Sequence, residues 1–359
     1  MTMALATPAE GDRRERGRTA VVALTILVAA VALASLAIGP AGVDATEVVR
    51  LTGDLLAGRD PAEARLGHVV LFDIRMPRTL LGLVVGGALG IAGAMMQGLF
   101  RNPLADPGIV GVSSGAALGA VAAITLGGGV TLPVLGALGI GLLPAAAFTG
   151  GLVTTVLLYL IATRQGRTSV ATMLLAGIAL GALAGAVTAY LIFRSDDLQL
   201  REFTFWSLGG LGGATWTKAV IAAVLCAGVF VAAPLIGRAL DMLVLGEAEA
   251  RHLGIEVDRM KRIIIVLVAL AVGTSVAFAG VIGFVGIVVP HLLRLSIGPE
   301  HRLLLPASAL LGGALLVTAD MLCRILVAPA ELPIGILTAV LGAPFFLWLL
   351  LRRRGLVDL

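Results

Sequence analysis

Charge is scarce in this chain. Asp, Glu, Lys and Arg make up 13% of its 359 residues, hydrophobic residues 58%, and the mean hydropathy is +1.04. Those values exclude an ordinary soluble domain and describe a polytopic membrane protein. Lysine is nearly missing, with only Lys218 and Lys261 beside 24 arginines. Neither lysine lies in a glycine-rich loop and no Gly-x-x-x-x-Gly-Lys-Ser/Thr occurs, which excludes the P-loop route to nucleotide binding. Two cysteines, Cys226 and Cys323, sit far apart in apolar runs. That supports neither a disulfide framework nor a thiolate metal site, and both read as buried thiols. Carboxylates in the apolar runs come down to Asp320, four residues before Arg324. This spacing shares one helix face and predicts a self-neutralising pair rather than the proton relay of an ion-coupled transporter.

What remains is a series of long apolar runs. Spans are expected at Thr19 to Ile38, Thr79 to Phe100, Gly108 to Leu126, Leu132 to Ala162, Val170 to Phe193, Trp216 to Gly237, Ile263 to Ala279, Gly283 to Leu293, Leu303 to Ile325 and Pro333 to Leu351. At about 20 residues per crossing this predicts an all-α fold of about ten transmembrane helices. It forms one transmembrane domain, 19–359, after a basic tail, 1–18. The first run is too long for a signal peptide and is kept as a helix with its basic end inside. Forty-seven glycines suit helices that pack closely in lipid. With the N-terminus inside, every inside segment carries arginine, from Arg101 to Arg354, as the positive-inside rule requires. Outside arginines, including Arg50, Arg59, Arg65, Arg75, Arg78, Arg194, Arg201 and Arg324, depart from it and suggest an acidic partner there; Asp44, Glu47, Asp54, Asp60, Glu63 and Asp73 offset part of that charge. Gly87, Gly90, Gly93 and Arg101 recur in spacing as Gly280, Gly283, Gly286 and Arg294, a weak echo that favours internally repeated halves.

Ten of the 25 residues from Arg238 to Arg262 are charged. Within this island Leu245 to Gly254 predicts a short helix with glycine at each end, acids in the first turn and bases in the last. Asp258 is expected to cap the next helix, beginning at Arg259. A helical knuckle between two sets of spans suits transmission of a push from a soluble partner, although a solvated loop is the commoner meaning of such a run. Gly111-Val112-Ser113-Ser114-Gly115 matches the nucleophile-elbow pattern. An intramembrane hydrolase using Ser113 and His291 would need a strand entering that turn, whereas here the segment opens a membrane helix.

Several ordered stretches carry a resemblance: Arg75-Met76-Pro77-Arg78; Gln97 with the run Arg101 to Ala116, which includes Asn102-Pro103-Leu104-Ala105-Asp106-Pro107-Gly108; Leu245-Gly246-Glu247 to Leu253-Gly254; Gly283-Phe284-Val285-Gly286 with Pro290-His291; and Glu331-Leu332-Pro333-Ile334-Gly335 with Gly342-Ala343-Pro344. Together, from about Arg75 to Arg354, they resemble the permease subunits of bacterial ABC importers for iron siderophores, haem and cobalamin. The resemblance implies a homodimer in the bacterial inner membrane, both termini cytoplasmic, with a path at the twofold axis. It also implies two cytoplasmic ATPase subunits, which use the ATP and Mg, and a periplasmic substrate-binding protein. No cofactor bound by this chain and no nucleic-acid partner is expected; lipid surrounds it.

By that resemblance Gly246, Glu247, Ala250, Leu253 and Gly254 belong to the coupling helices seated in the ATPase. Arg75, Arg78 and Arg324 match outward arginines that receive acidic residues of the binding protein, a task suited to guanidinium forks. Local alternatives are Arg324 with Asp320, and Arg75 with Asp73 or lipid phosphate. The cytoplasmic gate falls just before Leu174-Leu175-Ala176-Gly177, at Ala171 and Thr172; the family more often has two hydroxyl residues there, and Ala171 departs from that. Phe203 to Trp216 resembles the haem-importing branch most closely, and cobalamin permeases carry a related Trp-Gly-Gly-Trp arrangement. Phe203, Phe205, Trp206 and Gln97 are therefore expected along the substrate path, with haem the expected cargo and siderophore or cobalamin the alternatives. A belt of aromatics at the membrane interface is the plainer account of the first three.

Overall fold

A computed structural model describes residues 10–40, 44–57, 65–127, 133–137 and 139–354. The first nine positions of the expected basic tail, Arg59, Asp60 and Glu63 of the first loop, and Leu132 lie outside the described residues. The helices are α1 Glu10–Ala37, α2 Ala45–Leu56, α3 Arg65–His68, α4 Met76–Leu99, α5 Val112–Leu126, α6 Pro133–Ala137, α7 Leu142–Ala162, α8 Val170–Phe193, α9 Asp197–Ser207, α10 Trp216–Leu245, α11 Glu247–His252, α12 Val257–Ala279, α13 Val285–Ile297, α14 His301–Leu326 and α15 Ile334–Arg354. Two short strands, β1 Thr163–Arg164 and β2 Arg167–Thr168, pair antiparallel. Among the described residues seven helical stretches are long and apolar enough to cross a bilayer, and three shorter apolar helices lie in α5, α13 and α15. These are the ten segments expected from hydropathy, and the chain is an all-α polytopic membrane protein.

The boundaries differ where packing overrides composition. Instead of starting at Thr79, the second span begins in α3 and passes through a π-helical turn, Val69–Arg75, directly before Pro77. A widened turn accommodates the missing N–H of proline without ending the helix. Arg75 and Arg78 are thereby carried on a helix and not on a loop. Gly237 does not end α10; a β-carbon there would sit 2.9 Å from the Arg302 backbone, so this glycine serves close packing inside the helix. α10 runs on to Leu245 and makes Arg238 and Asp241 helical. Two helices, α2 and α9, stand where loops were expected; α9 starts with a capping box between Asp196 and Gln199.

α4 is the centre of the bundle: all but three of its 24 residues are buried. Its glycines explain how. β-carbons at Gly86, Gly90 and Gly93 would overlap the carbonyl oxygens of Gly312, Ser308 and Gly286, so α14 and α13 approach it backbone to backbone. In lipid no hydrophobic effect drives helices together, and this contact of small residues supplies the dispersion attraction instead. The spacing echo has two different local forms. Gly87, Gly90 and Gly93 lie within α4, whereas Gly280 and Gly283 lie in the break between α12 and α13. Gly115 and Gly150 likewise let α5 and α7 meet. The faces turned outward on α1, α7, α8 and α10 carry exposed Leu33, Leu160, Ile178 and Val224, as lipid contact requires. Cys226 and Cys323 are buried free thiols.

Candidate functional site

Chemistry-bearing residues gather at the two ends of the bundle. At one end, α11 forms the expected knuckle, bracketed by Gly246 (φ +129°) and Gly254 (φ +84°), both in backbone conformations that favour glycine. Glu247 and Glu249 stand in its first turn, Arg251 and His252 in its last. Its five expected coupling residues divide by exposure. Leu253 and Gly254 face solvent, Leu253 being 56% exposed, whereas Gly246 and Ala250 are buried, Ala250 completely. Glu247 turns its carboxylate back onto the chain, with Oε1 2.6 Å from Nζ of Lys261, which is itself 3% exposed.

Lys261 also donates to the Thr168 carbonyl at 2.8 Å. Asp258 does not cap α12; Glu256 holds the capping position, without a side-chain bond. Asp258 instead accepts from the Thr168 N–H at 3.3 Å and lies 3.4 Å from Arg251, which is 3.7 Å from Glu247. Glu247, Lys261, Thr168, Asp258 and Arg251 thus close a ring. The β1–β2 hairpin enters it through Thr168, and its own two-residue turn, Gln165 (φ +50°) and Gly166 (φ +77°), is of the kind that matches strand twist. Next comes Ser169, the N-cap of α8, whose hydroxyl accepts from the Thr172 N–H at 3.2 Å and lies 2.9 Å from the Thr172 hydroxyl. Ala171 is exposed and Thr172 half-buried, so both expected gate residues occupy the first turn of α8, one step from the ring.

Beside α11 an open cleft of about 640 Å³ lies between the end of α10 and the α13–α14 turn, lined by Arg238, Asp241, Leu253, Ile297, Glu300 and Arg302 among others. Asp241 borders it and accepts from the His301 N–H at 2.7 Å and pairs with His301 Nδ1 at 2.8 Å, so a side chain of α10 satisfies the N-terminus of α14.

The opposite end is organised by arginines. Arg78 donates through Nε and Nη2 to Asp320, at 2.9 and 2.8 Å, and through Nη1 to Glu331 at 2.8 Å. Arg324 pairs with Asp320 at 3.1 Å and reaches the Ile38 carbonyl and the Ser35 hydroxyl. Arg75 donates to the Leu36 carbonyl at 2.5 Å. The last carbonyls of α1 have no partners within the helix, and cations at that end satisfy them and oppose the helix dipole. The expected Asp320–Arg324 pair is present. Arg78, which holds the same carboxylate from α4, is what spacing could not reveal. Arg75, Arg78 and Arg324, the three arginines expected to receive the binding protein, are 3%, 5% and 4% exposed and engaged within the chain. Of this network, the Glu331 side chain reaches solvent, at 45% exposure.

α9 lies at this same end. Phe205 is 58% exposed under the Arg201 guanidinium, while Phe203 and Trp206 stack at 6.1 Å and are half-buried. The loop after α9 accepts the first N–H groups of α15, Ile334 on Gly209 and Gly335 on Leu208, and so roofs the Arg78–Glu331 pair. Gln97 does not join these aromatics. It sits buried at the far end of α4, where it accepts from Arg294 and donates to the Gly286 carbonyl at 3.3 Å. The serine motif lacks its strand: Gly111 (φ +77°) follows a 3-10 turn, Pro107–Val110, and opens α5.

Comparison with known proteins agrees with this architecture. The FecCD transport family profile matches residues 26–352. The hemin transport system permease protein HmuU of Yersinia pestis is 49% identical over 287 residues, 80% of this chain and 84% of that protein. The cobalamin import system permease protein BtuC of Halobacterium salinarum is 47% identical over 80% of this chain and 74% of its own length. The vitamin B12 import system permease protein BtuC of Vibrio cholerae is 43% identical over 85% and 89%. A solved structure of a metal-chelate type ABC transporter in an inward-facing conformation superposes with a TM-score of 0.76 at 31% identity, covering 92% of this chain and 98% of that one. This chain belongs to the FecCD transport family.

Proposed function

We propose that the chain is the permease subunit of an ATP-driven importer that moves haem across the bacterial inner membrane, receiving it from a periplasmic binding protein. The observation that carries this reading is the α11 knuckle. It is a helix between two sets of spans, exposed at Leu253 and Gly254, tied to the start of α8, in a chain with no P-loop of its own. Two cytoplasmic ATPase subunits dock there, one on each copy of a homodimer, and hydrolyse ATP with Mg outside this chain. Both termini are cytoplasmic, the coupling segment spans about 238–262 within a transmembrane domain from 19, and Ala171 and Thr172 gate the path at that side. The binding protein docks at the α9 end, near Glu331 and Arg78. Haem is favoured by the 49% identity to the hemin permease and by the exposed Phe205 with its Phe203–Trp206 neighbours, an apolar and aromatic face for a flat macrocycle.

Cobalamin is the second reading, supported by relatives at 47% and 43% identity; a ferric siderophore would travel by the same mechanism. The test is ATP-driven uptake into liposomes containing this chain with its ATPase and binding protein, offering haem with cobalamin and a ferric siderophore as competitors. Haem accumulation without competition is expected. Accumulation of a competitor in its place would overturn the haem assignment, and uptake that needs an ion gradient but no ATP would overturn the importer reading itself.

A further inference from the structure

The ring at the α11 end suggests how a push on α11 reaches the gate. Thr168 is the last residue before the N-cap of α8, and both of its backbone polar groups are held by α12 side chains, its N–H by Asp258 and its carbonyl by Lys261. Lys261 simultaneously holds Glu247 in the first turn of α11. One ammonium group therefore bridges the helix that would meet the ATPase and the residue from which the gate helix starts.

The composition makes this lysine unusual, since the chain has two lysines among its 26 basic residues and this one is 3% exposed. Burying an ammonium is costly unless it is paired and hydrogen-bonded, so the ring persists only while Glu247 and Thr168 stay in place. A flexible four-carbon stem ending in three rotatable donors also suits a joint that must follow a moving helix. α11 itself is short, six residues, with Ala250 as its buried anchor, so its attachment to the first turn of α8 runs through polar contacts rather than a broad apolar face.

We propose that Lys261 is a positioning residue that transmits displacement of α11 to Thr168 and hence to the first turn of α8, where Ala171 and Thr172 stand. The proposal rests on the importer reading above and adds the residue through which hydrolysis and opening are linked. Glu247 serves as its counter-charge on α11, 2.6 Å from the ammonium group.

The test compares transport per ATP hydrolysed in the reconstituted complex of this chain, its ATPase and its binding protein, for the unaltered chain and for Lys261→Met, Lys261→Arg and Glu247→Gln. Co-purification of the ATPase is measured for each. Expected for Lys261→Met is an assembled complex whose hydrolysis stays within about twofold while uptake per ATP falls about tenfold, with Lys261→Arg recovering most of the ratio; Glu247→Gln is expected to lower uptake per ATP about tenfold in whatever complex assembles. A purely structural role would lower assembly, hydrolysis and uptake together, and that result would sink the proposal, as would an unchanged ratio. Should Lys261→Met fail to fold, Glu247→Gln, on a side chain one-third exposed, decides alone. If the unaltered chain shows no ATP-driven uptake of haem, cobalamin or siderophore, the importer reading fails first and separately.

Discussion

Arg78 holds Asp320 with two nitrogens across 242 residues of sequence, and both side chains are at most 6% exposed. The pair joins the first turn of the central helix α4 to the last turns of α14, and Arg324 binds the same carboxylate from the other side. Two cations around one buried acid, with Glu331 as the second acid, make this end a structural lock.

Asp320→Asn should therefore lower the folded fraction and not alter any ion dependence of transport. Removing one partner of a buried pair costs about 3–5 kcal/mol, because the remaining charges stay buried uncompensated. Thermal unfolding of the detergent-solubilised protein checks this; a folded, stable Asp320→Asn whose uptake changes with an ion gradient would revive the ion-coupled alternative.

Arg324→Glu and Arg75→Glu should also reduce folded yield, since each would place an anion against the carbonyl end of α1. Glu331→Gln should behave differently. Its side chain is half exposed and Arg78 retains Asp320, so the stability cost is about 1 kcal/mol or less. Removing the exposed negative charge beside Arg78 should strengthen docking of an acidic binding protein severalfold at low salt, and the gain should shrink as salt rises. Binding measured by surface immobilisation at two ionic strengths decides it, and unchanged affinity would remove Arg78 from the docking surface.

Glycine substitutions should sort by what faces them. Gly86→Ala and Gly93→Ala each push a methyl into a backbone carbonyl of a neighbouring helix and should cost about 1–3 kcal/mol. Gly228→Ala and Gly185→Ala meet nothing within 4 Å and should be neutral or slightly stabilising. A melting series on the four variants reads this directly.

Leu253→Asp should abolish co-purification of the ATPase with little effect on melting temperature, because the side chain is more than half exposed. Gly254→Trp should act in the same direction, with an added strain of about 1 kcal/mol from the left-handed backbone at φ +84°. Retained co-purification in both would move the ATPase seat away from α11.

Ten apolar segments, the knuckle between two glycines and the Asp320–Arg324 pair were all legible in the sequence, because each depends on periodicity, hydropathy or a four-residue spacing. Those are local properties, and a bilayer enforces them by leaving backbone polar groups no partner outside a helix. Tertiary structure alone decided which polar groups meet. It turned Asp258 from an expected cap into a tie to Thr168, buried Arg75, Arg78 and Arg324 against α1 and α14, and set Gln97 on Arg294 and the Gly286 carbonyl instead of among the aromatics of α9. The one signal available for the ring was the rarity of lysine in an arginine-rich chain. The reason is physical: a buried charge takes whichever opposite charge the packing brings within about 3 Å, and sequence distance has no bearing on that choice.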